Sequence, residues 1–395
     1  MGKVIYLDHA STTPADPEVV EAMRPWFMEE YGNPSTVYSL GLTASRAVQE
    51  ARESIARTIG AEPEEIYFTS GGTEADNWAI LGTADAQQKK GRHLITSTIE
   101  HHAVLESMEY LEKRGYEITR VPVDSSGLLD PEDVRRALRP DTILISIHHA
   151  NNEVGTIEPI AEIGKIAREA GTLFHTDAVQ TAGKLPLAVD ELGVDMLSMS
   201  GHKFYGPKGI GIMYLRKRTR VTPFLHGGSQ ERGRRAGTHN VPGIVGVAKA
   251  LELATARMAE DAVREAKLRD RLWAGLSTKI DAIYLNGVME HRLPGNLNFR
   301  LDGIEGEAMI LMLDMEGICV SSGSACTTGS LDPRHVLLGM GIPADHAHGS
   351  LRATLGRSTT AEDIDFFIEV FPPIVDRLRE MSPIWCANCV HKQRN

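Results

Sequence analysis

The sequence predicts an α/β protein, with a large domain built on a mostly parallel sheet and a smaller α+β domain. Two observations carry that prediction. Short apolar runs alternate with segments of helical periodicity through the first two thirds of the chain. After about residue 260 the pattern changes to a long charged helical stretch, a short-strand region and further helices. Strand–helix alternation implies crossover connections, hence parallel neighbours whose strands are covered on both faces and read as continuous apolar runs. A chain of 395 residues also exceeds one ordinary core and suggests about two domains. The expected division assigns 15–258 to the large domain, and 1–14 with 259–395 to the small one.

The elements follow in order. From Thr43 to Ile59, apolar Ala44, Val48, Ala51, Ile55 and Ile59 recur at helical spacing, and Gly60 supplies the stop. IYFT (66–69), HLITST (93–98), ILISI (143–147), LFHT (173–176), DMLSM (195–199) and GIGIMYL (209–215) read as buried strands. Segments near 74–86, 101–114, 131–138 and 160–169 read as the helices between them. Beyond them come the charged helix AEDAVREAKLRDRLWAGL (259–276), short strands near 282–301, and helices to the end. The last of these opens at Thr360 with Asp363 as a capping pair, and Pro372-Pro373 is expected to break or kink it.

Composition excludes several classes of function. No apolar run approaches the roughly 18 residues of a membrane span. The start, MGKVIYLDHASTTP, reaches an Asp-His pair too early for the apolar core of an export signal. Four cysteines (Cys319, Cys326, Cys386 and Cys389) without such a signal read as reduced thiols, and the default location is cytoplasmic. A net charge of −11 argues against a broad nucleic-acid surface, although ERGRRAG (231–237) is locally basic.

Chemistry concentrates in a few stretches at expected strand ends, where ligands of open α/β sheets bind. SGHKFYGPKG (200–209) sets Lys203 beside Ser200 and His202, and HTDAVQ (175–180) supplies Asp177 and Gln180. A lysine whose surroundings lower its pKa serves as a Schiff-base nucleophile, and a buried Asp needs a partner such as a pyridinium nitrogen. SGGTEADN (70–77) reads as a glycine turn opening a helix at about Thr73, suited to a phosphate, or equally as an ordinary N-cap. Asp177 likewise fits a plain helix cap. In IEHHAVL (99–105) either His101 or His102 can face a ligand, stack on a ring and carry protons near neutral pH. SSGSACTTGS (321–330) places Cys326 in a Gly/Ser/Thr-rich loop, whereas Cys319 in MEGICV reads as an inert core thiol.

Together with YLDHASTTP (6–14), GNPST (32–36), NNEVGT (151–156), GGSQERGRRAGTHN (227–240) and LRATLGR (351–357), these motifs stand in the order found in cysteine desulfurases. Over nearly its whole length the chain resembles that family, pyridoxal-phosphate enzymes of the aspartate aminotransferase fold, fold type I, among the class V aminotransferases. The type resembled serves iron–sulfur cluster assembly and nitrogen fixation. The resemblance implies pyridoxal 5'-phosphate held by Gly72, Thr73, His101, Asp177, Gln180, Ser200, His202 and Lys203, with Thr238 reaching in from the other subunit of a homodimer. Lys203 would carry the cofactor, His101 would stack on its ring, Asp177 would face the pyridine nitrogen and Gln180 the phenolic oxygen. Asn152 and Arg352 would hold the carboxylate of L-cysteine. Cys326 would take its sulfur as a persulfide, releasing L-alanine and passing sulfur to an acceptor protein such as an iron–sulfur scaffold. No metal is assigned to the site.

Tyr38 stands where the family commonly has His. A transaminase of the same fold would have no use for Cys326, and an idle scaffold would have none for Lys203 and Asp177. In the tail, Cys386, Cys389 and His391 fit three readings: part of a metal site, a sulfur relay, or solvated thiols without a role.

Overall fold

In the computed structural model, which describes residues 4–322, 335–383 and 385, the apolar runs of the first two thirds form a seven-stranded sheet. In chain order the strands are β1 (Ile5–Tyr6), β2 (Ile66–Thr69), β3 (His93–Ser97), β4 (Glu117–Val121), β5 (Thr142–Ser146), β6 (Leu173–Asp177), β7 (Met196–Ser200) and β8 (Gly211–Leu215). They continue with β9 (Ile283–Leu285), β10 (Asn296–Leu301), β11 (Ile318–Cys319) and β12 (Ser350–Thr354). The large sheet has the order β2-β8-β7-β6-β5-β3-β4. The β4–β3, β3–β5, β5–β6 and β6–β7 pairs are parallel, while β8 runs antiparallel to both β2 and β7. Every residue of β3, β5 and β7 is buried, as strands covered on both faces require.

One strand of this large sheet was missing from the sequence reading. β4, EITRV, lies at the sheet edge with only Val121 buried, so it lacks the apolar run by which its neighbours declare themselves. The first helix of the expected pattern begins a turn earlier, at Ser39, and packs the predicted stripe inward before Gly60 ends it at φ 69°.

The second region is organised around the antiparallel sheet β12-β10-β9 and a core that includes Leu272, Leu276, Phe299, Phe367 and Phe371. β11 and β12 correct the expectation of helices alone after residue 301. LRATLGR is too short and too evenly buried to be a helix, and its first residues form the body of β12. The helix Val241–Lys279 runs unbroken, placing Val247, Leu251 and Ala254 in the first core and Leu272 and Leu276 in the second.

Pro372 and Pro373 do not break the helix Ala361–Met381. Pro372 has no N–H for the carbonyl of Ile368, but the Lys279 ammonium donates to that oxygen at 3.4 Å. Burial of Phe367, Phe371, Ile374 and Val375 holds the helix on either side, and Thr360 and Asp363 form the reciprocal cap.

Strand β1 ties the ends of the chain together. It pairs in parallel with β11, and Asp8 bridges to Thr354 at the end of β12. The loop that follows, residues 10–13, is thereby carried from the second core to the carboxyl end of the large sheet.

Candidate active site

The carboxyl ends of β2, β6 and β7 deliver three turns to one side of the sheet. After β2, Thr69 donates to the Gly71 carbonyl at 3.0 Å, Ser70 N–H donates to Glu74 at 2.8 Å, and the helix Gly72–Gln87 starts. No larger residue fits at its first position: a Cβ on Gly72 would stand 2.6 Å from Cγ2 of Val179 and 3.5 Å from Cβ of Ser200. Close backbone approach leaves the helix's first N–H groups facing the cavity, where an anion is stabilised.

After β6, Asp177 accepts from Val179 N–H at 2.9 Å, and burial raises its carboxyl to about 6 against the lowering effect of that bond. Gln180 donates to the Ala10 carbonyl at 3.0 Å, while its amide oxygen is buried without a partner. After β7, the Lys203 ammonium donates to the carbonyls of Ala10 at 2.6 Å and Ser11 at 2.8 Å. His202 meets the Thr12 hydroxyl at 3.1 Å, and burial, with the charge of Lys203, takes its imidazole down to about 4.

His101 rather than His102 faces the cavity. Its Nδ1 caps the helix His102–Glu112 by accepting from Ala103 N–H at 3.1 Å, while His102 stacks against His335 with ring centroids 4.9 Å apart. Burial, followed by the charge of Lys203, lowers the His101 imidazole to about 4. It is therefore neutral near pH 7, with the proton on Nε2, and not the ready proton carrier that an ordinary histidine would be.

Arg352 enters from β12 and is 2% exposed. Its guanidinium donates to Asp8 at 2.7 Å, to the Ser11 hydroxyl at 2.7 Å and to the Asn152 carbonyl at 2.8 Å, leaving Nε buried and unpartnered. Gly72, Thr73, His101, Asn152, Asp177, Gln180, Ser200, His202, Lys203 and Arg352 thus line one cavity of about 250 Å³. Thr238 is exposed and does not line it. Its loop is pinned by Arg235, which grips Glu74 with two bonds of 2.8 and 3.0 Å, so this arginine of the basic stretch is spent on the fold. Tyr38 is exposed just ahead of the helix Ser39–Ile59, and Cys319 is half-buried, with its thiol raised by burial. Cys326 and the tail residues Cys386, Cys389 and His391 lie outside the described residues.

Four lining or supporting residues escaped the sequence reading: Asp8, Ser11, Asp76 and His148. Each stood in or beside a quoted motif. Asp76, three residues after Thr73 on the same helix, carried the clearest signal, since residues three apart share a face.

The cavity's donor set fits pyridoxal phosphate. Hydroxyls of Thr73 and Ser200 at a helix start that excludes a Cβ, the Asp177 carboxyl, the orphaned amide oxygen of Gln180 and the Lys203 amine all line the cavity.

Comparison with known proteins agrees. The aminotransferase class-V family model matches residues 5–367. The chain belongs to that family. It is 54% identical over 383 residues to a cysteine desulfurase IscS of Dictyoglomus turgidum, covering 97% of each chain. It is likewise 54% identical over 382 residues to the IscS of Methanosarcina thermophila, covering 97% of this chain and 94% of that one. Among solved structures, a NifS-like protein superposes with TM-score 0.90 at 40% identity, covering 95% of this chain and all of the other. SspA in complex with cysteine superposes with TM-score 0.81 at 37% identity, covering 90% and 100%. Within its family the chain is a pyridoxal-phosphate-dependent cysteine desulfurase.

Proposed function

We propose that the cavity binds L-cysteine through Arg352 and Asn152 and that its sulfur passes to Cys326. The observation that carries this reading is the convergence of a buried guanidinium, a lysine amine and a buried carboxyl on one cavity. Thr73, Ser200 and His202 would hold the phosphate, Gln180 the ring hydroxyl, and Asp177 the ring nitrogen. When bound, pyridoxal phosphate supplies an electron sink for the substrate's α-carbon.

The chain's own residues do the rest. Lys203 would hold the cofactor through its amine, and the same amine, at the cavity, would move protons at the substrate carbons. Neutral His101 would face the ring without adding charge. The planar fork of Arg352 orients the substrate carboxylate, with Nε free for it. The Cys326 thiolate attacks the substrate sulfur; the carbon–sulfur bond breaks, its electrons are protonated at carbon, and alanine leaves a persulfide on Cys326.

A homodimer, with Thr238 completing the partner's phosphate site, and delivery of sulfur to an acceptor protein such as an iron–sulfur scaffold complete the reading. So does a division at about residue 258 into a cofactor-binding domain and a domain carrying the Cys326 loop. Among the described residues no helix is long and apolar enough to cross a membrane, and we place the protein in the cytoplasm.

The test is Cys326→Ser. The variant is expected to keep the cofactor's visible absorbance and its change on adding cysteine, yet to form no protein persulfide and to lose cysteine-dependent alanine production. Alanine release at the parent rate would remove Cys326 from the reaction.

A further inference from the structure

Asp76 is 1% exposed, lines the cofactor cavity and has a carboxyl oxygen buried without any hydrogen-bond partner. One of its oxygens, one of Asp177's and one ring nitrogen of His101 all lie within 4.8 Å of one another. Two carboxyls that close, both out of water, cannot both be ionised unless a cation stands between them.

No described group supplies that cation. The nearest basic nitrogen, Nε2 of His175 from β6, is 3.6 Å away. Its ring is held between the hydroxyls of Ser146 and Ser198, each at 2.9 Å, and burial drives it down to about 4, so it is neutral. His101 is neutral for the same reason. Glu100, ahead of the His102 helix, adds a negative field that raises both carboxyls, and a hydrogen bond from Ser198 lowers Asp76 without outweighing burial and the charge of Asp177. The positive groups nearby, Lys203 and His148, act on Asp177, which also takes the Val179 N–H. Asp177 is thus the carboxyl that ionises, and Asp76 is the one that does not.

We propose that Asp76 is a positioning residue that stands protonated behind Asp177, giving it a neutral hydrogen-bonding neighbour in place of a second charge, so that one negative charge faces the cofactor's ring nitrogen. This rests on the assignment of Asp177 to that nitrogen. Burial, then the charge of Asp177, holds the Asp76 carboxyl well above the ordinary range, in keeping with the geometry.

Two readouts test it, the first without cofactor. An infrared difference spectrum at pH 8 between the cofactor-free parent and Asp76→Asn is expected to show the carbonyl stretch of a protonated carboxylic acid in the parent alone; no such band overturns the proposal. In the second, pyridoxal phosphate is titrated into cofactor-free protein. Asp76→Asn, which mimics the protonated acid, is expected to bind within about threefold of the parent, and Asp76→Ala about tenfold or more weaker, as for loss of one buried polar contact. Equal loss in both variants would make Asp76 a required anion, and parent affinity in Asp76→Ala would leave it without a role; either refutes the proposal. Asp177→Asn separates the underlying assignment: it is expected to weaken cofactor binding and, because it removes the charge that helps to keep Asp76 protonated, to diminish the Asp76 band at high pH. Undiminished binding there would sink the role of Asp177 and leave the state of Asp76 standing.

Discussion

Glu231 shows at the scale of single residues how the loop bearing Thr238 is fixed. It is 4% exposed, bonds Arg52 at 2.6 and 2.9 Å, meets His239 at 2.8 Å and accepts from Phe68 N–H at 3.0 Å. Burial alone would raise its carboxyl, yet the bonds from His239 and Arg52 outweigh it and take the group from 4.5 down to about 2. A depressed carboxyl stabilises the fold above its unfolded value and loses that contribution as the pH falls toward its folded one. Glu231→Gln leaves Arg52 buried without its counter-charge, which costs about 3–5 kcal/mol. Urea unfolding is therefore expected to show that deficit at pH 7 and a deficit that shrinks as the pH falls from 4.5 toward 2. A gap independent of pH would mean that the ion pair is not its source.

At the scale of elements, the turn into the helix Gly72–Gln87 governs the phosphate end of the site. Gly72→Ala puts a methyl group against Val179 and Ser200 and pushes the helix start off the strand ends. A shift of this kind is expected to weaken cofactor binding by about tenfold or more, since charge-assisted contacts are worth about 1.5–3 kcal/mol each. Fluorescence titration of the cofactor-free variant measures it, and parent affinity would show that the turn yields freely.

The same scale shows what the sequence could and could not convey. The strands carrying Asp177 and Ser200 were legible because central strands write their burial as unbroken apolar runs. The reversal of β8 was not, because strand direction follows from the route of the connection and not from local pattern. The continuity of the helix through Pro372-Pro373 depends on Lys279, 93 residues earlier than Pro372, and no local rule anticipates that donor. Within the site, the residues a cofactor requires stood in motifs, whereas Asp8 was hidden because its part is to hold Arg352, a partner 344 residues away. Choosing between His101 and His102 needed the cap on Ala103.

At the scale of the whole molecule, the exposed position of Thr238 outside the cavity of its own chain sets up a test of assembly. Mixed dimers of Thr238→Ala and Lys203→Ala chains are expected to contain one site damaged by both changes and one intact site, restoring about half the activity of the parent dimer where neither homodimer is fully active. A fully active monomer, measured by sedimentation at assay concentration, would contradict a shared site.

The pairing of β1 with β11 has a consequence for biosynthesis. Tyr6 and Asp8 leave the ribosome before the strands of the large sheet, yet Cys319, Arg352 and Thr354, which they contact, follow after all of those strands. The loop that holds Lys203 through the carbonyls of Ala10 and Ser11 is therefore anchored only after Arg352 and Thr354 have emerged. Domains fold largely as they emerge, but contacts of such long sequence separation close late and slowly. The strands of the large sheet are thus made before the partners that anchor residues 5–13 beside its cavity.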